Sequence, residues 1–180
     1  MTASGFNVFE TAIGPCGLAW AEQGIVGVQL PELDRDVTRR RLHRRFPNFH
    51  ESCPPAEIQV TRDSIVALLQ GQPQDLTAAV LDMRAVTPFR RAVYAAARTI
   101  ARGTTLTYGA LATRIGEPGS ARAVGQALGC NPFPIIVPCH RVLAAGGKAG
   151  GFTAQGGVST KLRMLALEGT NMSPQLVIAL

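Results

Sequence analysis

The chain has 180 residues, 46% of them hydrophobic, and a formal net charge of +6 at pH 7. That length suits one ordinary domain or two small ones sharing an interface, with apolar side chains enough for a substantial core. No apolar run approaches the ~20 residues that cross a bilayer, and "MTASGFNVFE" has neither a basic nor an apolar leader region, so no membrane partner is expected and the cytoplasm is the default location. The basic excess suits an anionic partner, although it is also common in proteins that bind nothing charged.

In chain order, "FNVFETAI", "GLAWAE" and "GIVGVQL" are short runs punctuated by "GPC" and "EQG", the pattern of a meander of hairpins. Asp34 then opens a basic helix, "DRDVTRRRLHRRF", which stops before Pro47. Its six arginines (Arg35, Arg39, Arg40, Arg41, Arg44, Arg45) read as a solvated face, with Val37, Leu42 and Phe46 covering a sheet, because no base-reading partner stands beside them. "ESCPPAEIQ" reads as a loop, "RDSIVALLQ" as a short helix and "TAAVLDM" as another strand. At Thr87-Pro88, an N-cap followed by a first-turn proline, the character turns helical, and Phe89, Ala92, Val93, Ala96, Ala97 and Ile100 recur at helical spacing. The expected division is residues 1–85, residues 86–170 and a C-terminal tail, 171–180, with the two main parts packed closely.

"TYGALATRIGEPGSARAVGQALGC" has the form of two helices around a tight turn at residues 116–119. Thr107 caps the first, whose Tyr108, Leu111 and Ile115 share a face. In the second, Ala121, Val124 and Leu128 point inward and leave Arg122 and Gln126 on another side. A helical hairpin alone is weak grounds for DNA binding. The composition is more telling: Ala121, Ala123 and Gly125 are small enough for the backbone to approach a phosphate chain. A lone Arg122 among them cannot read several bases, but it can fill a gap in a base stack.

Residues 131–142, "NPFPIIVPCHRV", run as a buried apolar strand to Pro138 and then deliver Cys139, His140 and Arg141. A free thiol is only a few per cent ionised near neutral pH, so a reactive one needs a base or a positive charge, and both neighbours qualify. Were the segment extended, adjacent side chains would face opposite ways; a bridging water or a turn at residues 138–139 would reconcile them. A carboxylate should orient the imidazole, and Glu168 is the only acidic residue after Glu117. The plain alternative is a small buried hydrophobe at Cys139. Cys130, between Gly129 and Asn131, reads as structural, and Cys16, Cys53 and Cys130 are expected to be thiols like Cys139. A metal held by Cys16, Cys53 and the His43/His50 region would need the fold to assemble it. "RVLAAGGKAGGFTAQGG" reads as a strand, a glycine-rich loop and a return, like the wing of a winged helix, followed by a helix over Val158–Leu167. Phe152 and Thr153 stand where that loop would fold over a pocket.

These residues together, "NPFPIIVPCHRV" preceded by "TYGALATRIG" and "ARAVGQALG" and followed by "LALEG", resemble the O6-alkylguanine-DNA alkyltransferases. The resemblance is dense over residues 86–169 and loose before them. It implies an α+β chain with a ribonuclease-H-like N-terminal domain, a small sheet with helices, packed on a mainly helical, winged-helix-like domain carrying a helix-turn-helix. It implies single-turnover repair of double-stranded DNA containing O6-alkylguanine by a monomer with no cofactor. Cys139 would accept the alkyl group, His140 would be the water-mediated base, Glu168 its orienting carboxylate, and Tyr108 the group that protonates or hydrogen-bonds the departing guanine. Arg122 would enter the vacated stack, Asn131 would be the hinge, and Tyr108, Ala121, Ala123, Gly125 and Arg141 would join them at the DNA. The Val142 carbonyl, Phe152 and Thr153 would meet the guanine. Phe152 departs from the tyrosine often found there, "FTAQGG" is about two residues longer than the commonest loop, and no convincing match to the zinc ligands of some members is present. The alternative reading is an alkyltransferase-like protein that binds damage without transfer.

Overall fold

A computed structural model describes residues 4–170. It mixes α and β structure in two compact units, one formed by residues up to Ala85 with Pro132–Ile136, the other by Val86–Asn131 and the chain from Val137 onward.

In the first unit, strands β1 (Gly5–Phe9), β2 (Cys16–Ala21) and β3 (Gly24–Gln29) form the expected antiparallel meander, and the two-residue β4 (His50–Glu51) pairs in parallel with β1, giving the order β3-β2-β1-β4. Helix α1 (Arg35–Arg45) begins where Asp34 accepts a hydrogen bond from Val37 N, and it lays Leu42 on Phe6, Val8 and Ala19. Gly17 makes that approach possible, because a Cβ there would collide with the Leu42 side chain. The arginines do face outward as the sequence implies. Arg35 is tied to the Val8 carbonyl and Arg45 to the Val28 carbonyl. Two expectations need correction. "ESCPPAEIQ" is not all loop: it starts with β4 and runs into α2 (Ala56–Leu69). "TAAVLDM" forms no strand beyond a bridge of Leu81 with Ile25, since Asp75 and Asp82 hold the backbone of Thr77 and Arg84 in local turns.

The second unit is mainly helical: α3 (Pro88–Arg98), α4 (Tyr108–Arg114), α5 (Ala121–Gly129) and α6 (Val158–Leu167), with a parallel pair of two-residue strands, β5 (Leu106–Thr107) and β6 (Val142–Leu143). The buried face of α3 is turned slightly from the expected stripe. Ala92 is exposed, while Tyr94 is buried and donates its hydroxyl to the Ala127 carbonyl at 2.9 Å, tying α3 to α5. Among the described residues no return strand follows β6. Positive φ at Gly146, Gly147, Gly150, Gly156 and Gly157 keeps that backbone turning instead of pairing. Among the described residues no helix is long and apolar enough to cross a membrane.

Candidate active site

The site is built where the short parallel pair ends. β5 hands directly to α4, whose start is held by the Thr107 hydroxyl accepting from Ala110 N at 3.1 Å, so Tyr108 is the first helical residue. β5 pairs in parallel with β6, which directly follows Cys139-His140-Arg141, with Leu106 opposite Val142 and Thr107 opposite Leu143, and Tyr108 and Cys139 line the same cavity. The apolar run before the triplet is not a strand. It turns irregularly, with Ile135 at φ 76°, and Asn131 just beyond α5 closes it by donating Nδ2 to the Val137 carbonyl at 2.9 Å. After Pro138 the chain makes a 3₁₀ turn over Cys139–Arg141, closed by Arg141 N to the Pro138 carbonyl at 2.9 Å. Of the two ways to reconcile adjacent Cys and His side chains, the backbone takes the turn.

Cys139 is 8% exposed, and it lines a cavity of about 610 Å³ together with Tyr108, Ala121, Arg122, Gly125, Phe152 and Thr153. Arg122 and Gln126 are exposed at its edge, one turn apart on α5. The Tyr108 ring fits because Gly125 and Gly150 flank it; a Cβ on Gly150 would come within 3.2 Å of the ring. Ala123 is half-buried and does not line the cavity.

Behind the sulfur lies a buried charge cluster. Glu168, the C-cap of α6, accepts from His140 Nε2 at 2.9 Å and from Arg141 at 2.8 and 2.9 Å. His140 is wholly buried, and its Nδ1 has no hydrogen-bond partner among the described residues. Lys161, also wholly buried on α6, donates to the Val142 carbonyl at 2.6 Å and lies 5.8 Å from the Tyr108 ring centre and 5.9 Å from that of Phe152.

Burial pushes the Cys139 thiol up, and a hydrogen bond with the Asn131 side chain, then the charge of Lys161, pull it back part of the way. Burial pulls His140 below its usual range against the opposing pull of Glu168. Burial alone would raise Glu168, but the hydrogen bonds from His140 and Arg141 outweigh it and hold the carboxyl at about 2. Burial brings Lys161 down to about 8 and lifts the Tyr108 hydroxyl.

The family model for the DNA-binding domain of 6-O-methylguanine DNA methyltransferase matches residues 88–170. A methylated-DNA–protein-cysteine methyltransferase of Methanothermobacter thermautotrophicus is 38% identical across 88% of this chain and 82% of its own length. One from Mycobacterium tuberculosis is 34% identical across 96% of this chain and 97% of its own. The chain belongs to this methyltransferase family. Among solved structures, the O6-methylguanine methyltransferase of M. tuberculosis aligns over 98% of this chain and 99% of its own with a TM-score of 0.74 at 32% identity. The enzyme described as M. tuberculosis OGT in complex with DNA aligns over 91% of each chain with a TM-score of 0.73 at 35% identity.

In this methyltransferase one expected position is corrected. Arg141, placed among the DNA contacts, is 8% exposed; its guanidinium is spent on Glu168 and on the Ile100 carbonyl at 2.6 Å, so no phosphate can share it. The Val142 carbonyl, expected at a guanine edge, is buried and accepts one hydrogen bond from Lys161, which leaves its second lone pair, while Val142 itself does not line the cavity. Cys130, read as structural, is exposed; Cys53 is exposed too, and Cys16 is buried. Among the described residues no group of three or more His, Cys, Asp and Glu side chains is arranged to hold a metal ion, the Cys16, Cys53 and His43/His50 combination included. Lys161 went unread in the sequence although a signal was there. In "VSTKLRMLALE" it shares the face of Val158, Leu162, Leu165 and Glu168, a charge placed on an apolar stripe.

Proposed function

We propose that this protein repairs DNA by direct reversal, transferring the alkyl group of O6-alkylguanine in duplex DNA to its own Cys139, once per molecule. The observation that carries the reading is the position of one sulfur. It opens on a cavity beside α5 while an imidazole with a free Nδ1, anchored on a buried carboxylate, adjoins it in the turn.

The chemistry balances without a cofactor. The thiol proton passes through a water to Nδ1 of His140, with Glu168 steadying the imidazolium that forms. The sulfur then attacks the alkyl carbon, a C–S bond forms, and the C–O6 pair leaves with guanine, which takes a proton from the Tyr108 hydroxyl. Lys161 favours the thiolate by its charge and keeps the buried phenol and thiol near a cation. The thioether has no leaving step, so the protein is consumed.

A base within a duplex cannot reach that sulfur, so the nucleotide is rotated out at a cost of a few kcal/mol. Arg122 occupies the vacated stack, the small residues Ala121, Ala123 and Gly125 of α5 allow the close backbone approach, and Asn131 is the hinge between α5 and the Cys139 turn. Phe152 and Thr153 hold the extruded guanine against Tyr108. The helical unit acts as a winged-helix-like DNA-binding and acceptor domain, the N-terminal unit is ribonuclease-H-like, and the protein works as a monomer.

Equimolar incubation with a duplex carrying one O6-methylguanine, followed by intact-protein mass measurement, tests this. One added methyl mapped to Cys139, absent in Cys139→Ala, is the expected result. Binding with no added mass would establish the non-transferring alternative instead.

A further inference from the structure

We infer that Arg141 is a positioning residue that keeps the His140 imidazole free of a proton, by sharing the carboxylate oxygen on which that imidazole rests. The inference builds on the assignment of His140 as the base. Three distances carry it. Glu168 Oε1 accepts both His140 Nε2 at 2.9 Å and Arg141 Nη2 at 2.8 Å, and Glu168 Oε2 accepts Arg141 Nε at 2.9 Å. The guanidinium therefore grips the carboxylate with two parallel bonds, the strongest geometry available to such a pair. Its remaining arm is fixed on the Ile100 carbonyl at 2.6 Å, just past the end of α3, so it cannot swing away.

The consequence follows from charge. A buried carboxylate alone beside an imidazole draws a proton onto it, and a protonated imidazole can accept nothing from a thiol. With Arg141 in place the carboxylate's charge is already balanced. A proton added at His140 would then bring a second positive charge into a water-poor cluster. The charged groups acting on His140 are Glu168 and Lys161 from α6 and Arg141 from its own turn; the first favours the proton and the other two oppose it. Glu168 still orients the ring by accepting from Nε2, which leaves Nδ1 as the lone-pair nitrogen. Arg141 thus separates two effects of a carboxylate partner: the ring keeps its orientation and is spared the rise in basicity.

Nitrogen-15 spectra of His140 in the wild-type protein, followed against pH, test this without any substitution. The expected ring is neutral and protonated at Nε2, with a midpoint below the ordinary value of 6.5. A midpoint at or above that value overturns the inference. In Arg141→Gln the midpoint should rise by about one pH unit or more, and the acid limb of alkyl transfer from the free O6-alkylguanine base should move up with it. A residue that only supported the fold would reduce the active fraction and leave the limb in place, which also overturns the inference. Arg141→Lys, which keeps the charge but not the two-pronged grip, should hold the midpoint within about half a unit while the rate falls. Wild-type protein that transfers no alkyl group would sink the repair assignment and leave the His140 titration to be judged by itself.

Discussion

Replacing Glu168 by glutamine should make the protein less stable by an amount that fades as the solution is acidified. Glu168 is 4% exposed, and its carboxyl is drawn from the ordinary 4.5 to about 2 because the bonds from His140 and Arg141 outweigh the burial that would raise it. A depressed carboxyl pKa contributes stability above the unfolded value, and that stability is lost as pH falls toward the folded one. The interval between the two corresponds to about 3 kcal/mol above pH 5, falling to less than half of that by pH 3. Glu168→Gln abolishes the titration and leaves the Arg141 guanidinium facing an amide, so the loss at pH 7 should be about 3 kcal/mol, within the range for breaking a buried pair. Urea unfolding of both proteins at several pH values between 7 and 3 measures the gap. Other carboxylates titrate over the same range, but they are common to both proteins and cancel in the difference. A gap that stays constant across that range would refute the reasoning, since it would mean that Glu168 acts through shape and not through charge.

Lys161→Met should raise stability while lowering reactivity. The folded-state pKa of Lys161 is brought from 10.5 to about 8, so its protonated form opposes folding below pH 8, and this cost is relieved as pH rises from 8 toward 10.5. Removing it relieves that cost but leaves the buried Val142 carbonyl without its donor, so the net gain at pH 7 should be about 1 kcal/mol, read by urea unfolding, and alkyl transfer should slow because Cys139 loses a cation that favours its thiolate. Arg122→Ala should slow transfer from duplex DNA at least about tenfold, the equivalent of about 1.4 kcal/mol of lost extrusion support, and change transfer from the free alkylguanine base by less than about twofold; parallel single-turnover assays on the two substrates decide it.

The elements legible in the sequence are those whose information is local. The meander of β1–β3 is written in alternation and turn residues, the start of α1 in Asp34, and α6 in a stripe that begins directly after the glycines at 156 and 157. What was not legible depends on partners far along the chain. "IIVPCH" has the composition of a strand, yet Asn131 draws the Val137 carbonyl back across the segment and Pro138 admits a turn, which changes how Cys139 and His140 are presented. The family resemblance places Arg141 at the DNA. Its carboxylate lies 27 residues away, and no pattern within the triplet shows that the two meet.

Elimination alone points to Glu168 in the sequence, since no other acid follows Glu117. The register of α6 offers firmer ground. Its apolar stripe holds two charges, Lys161 and Glu168, seven residues apart and therefore on the same side of the helix. An amphipathic helix that only packs has no reason to place a charge on its buried face, because each one costs desolvation that packing cannot return. Two of opposite sign on that face require partners inside, and here they find them at the Val142 carbonyl and at the His140–Arg141 pair, both within four residues of Cys139. The sequence thus marks α6 as the helix that serves the cysteine, through two positions where its amphipathic pattern is broken.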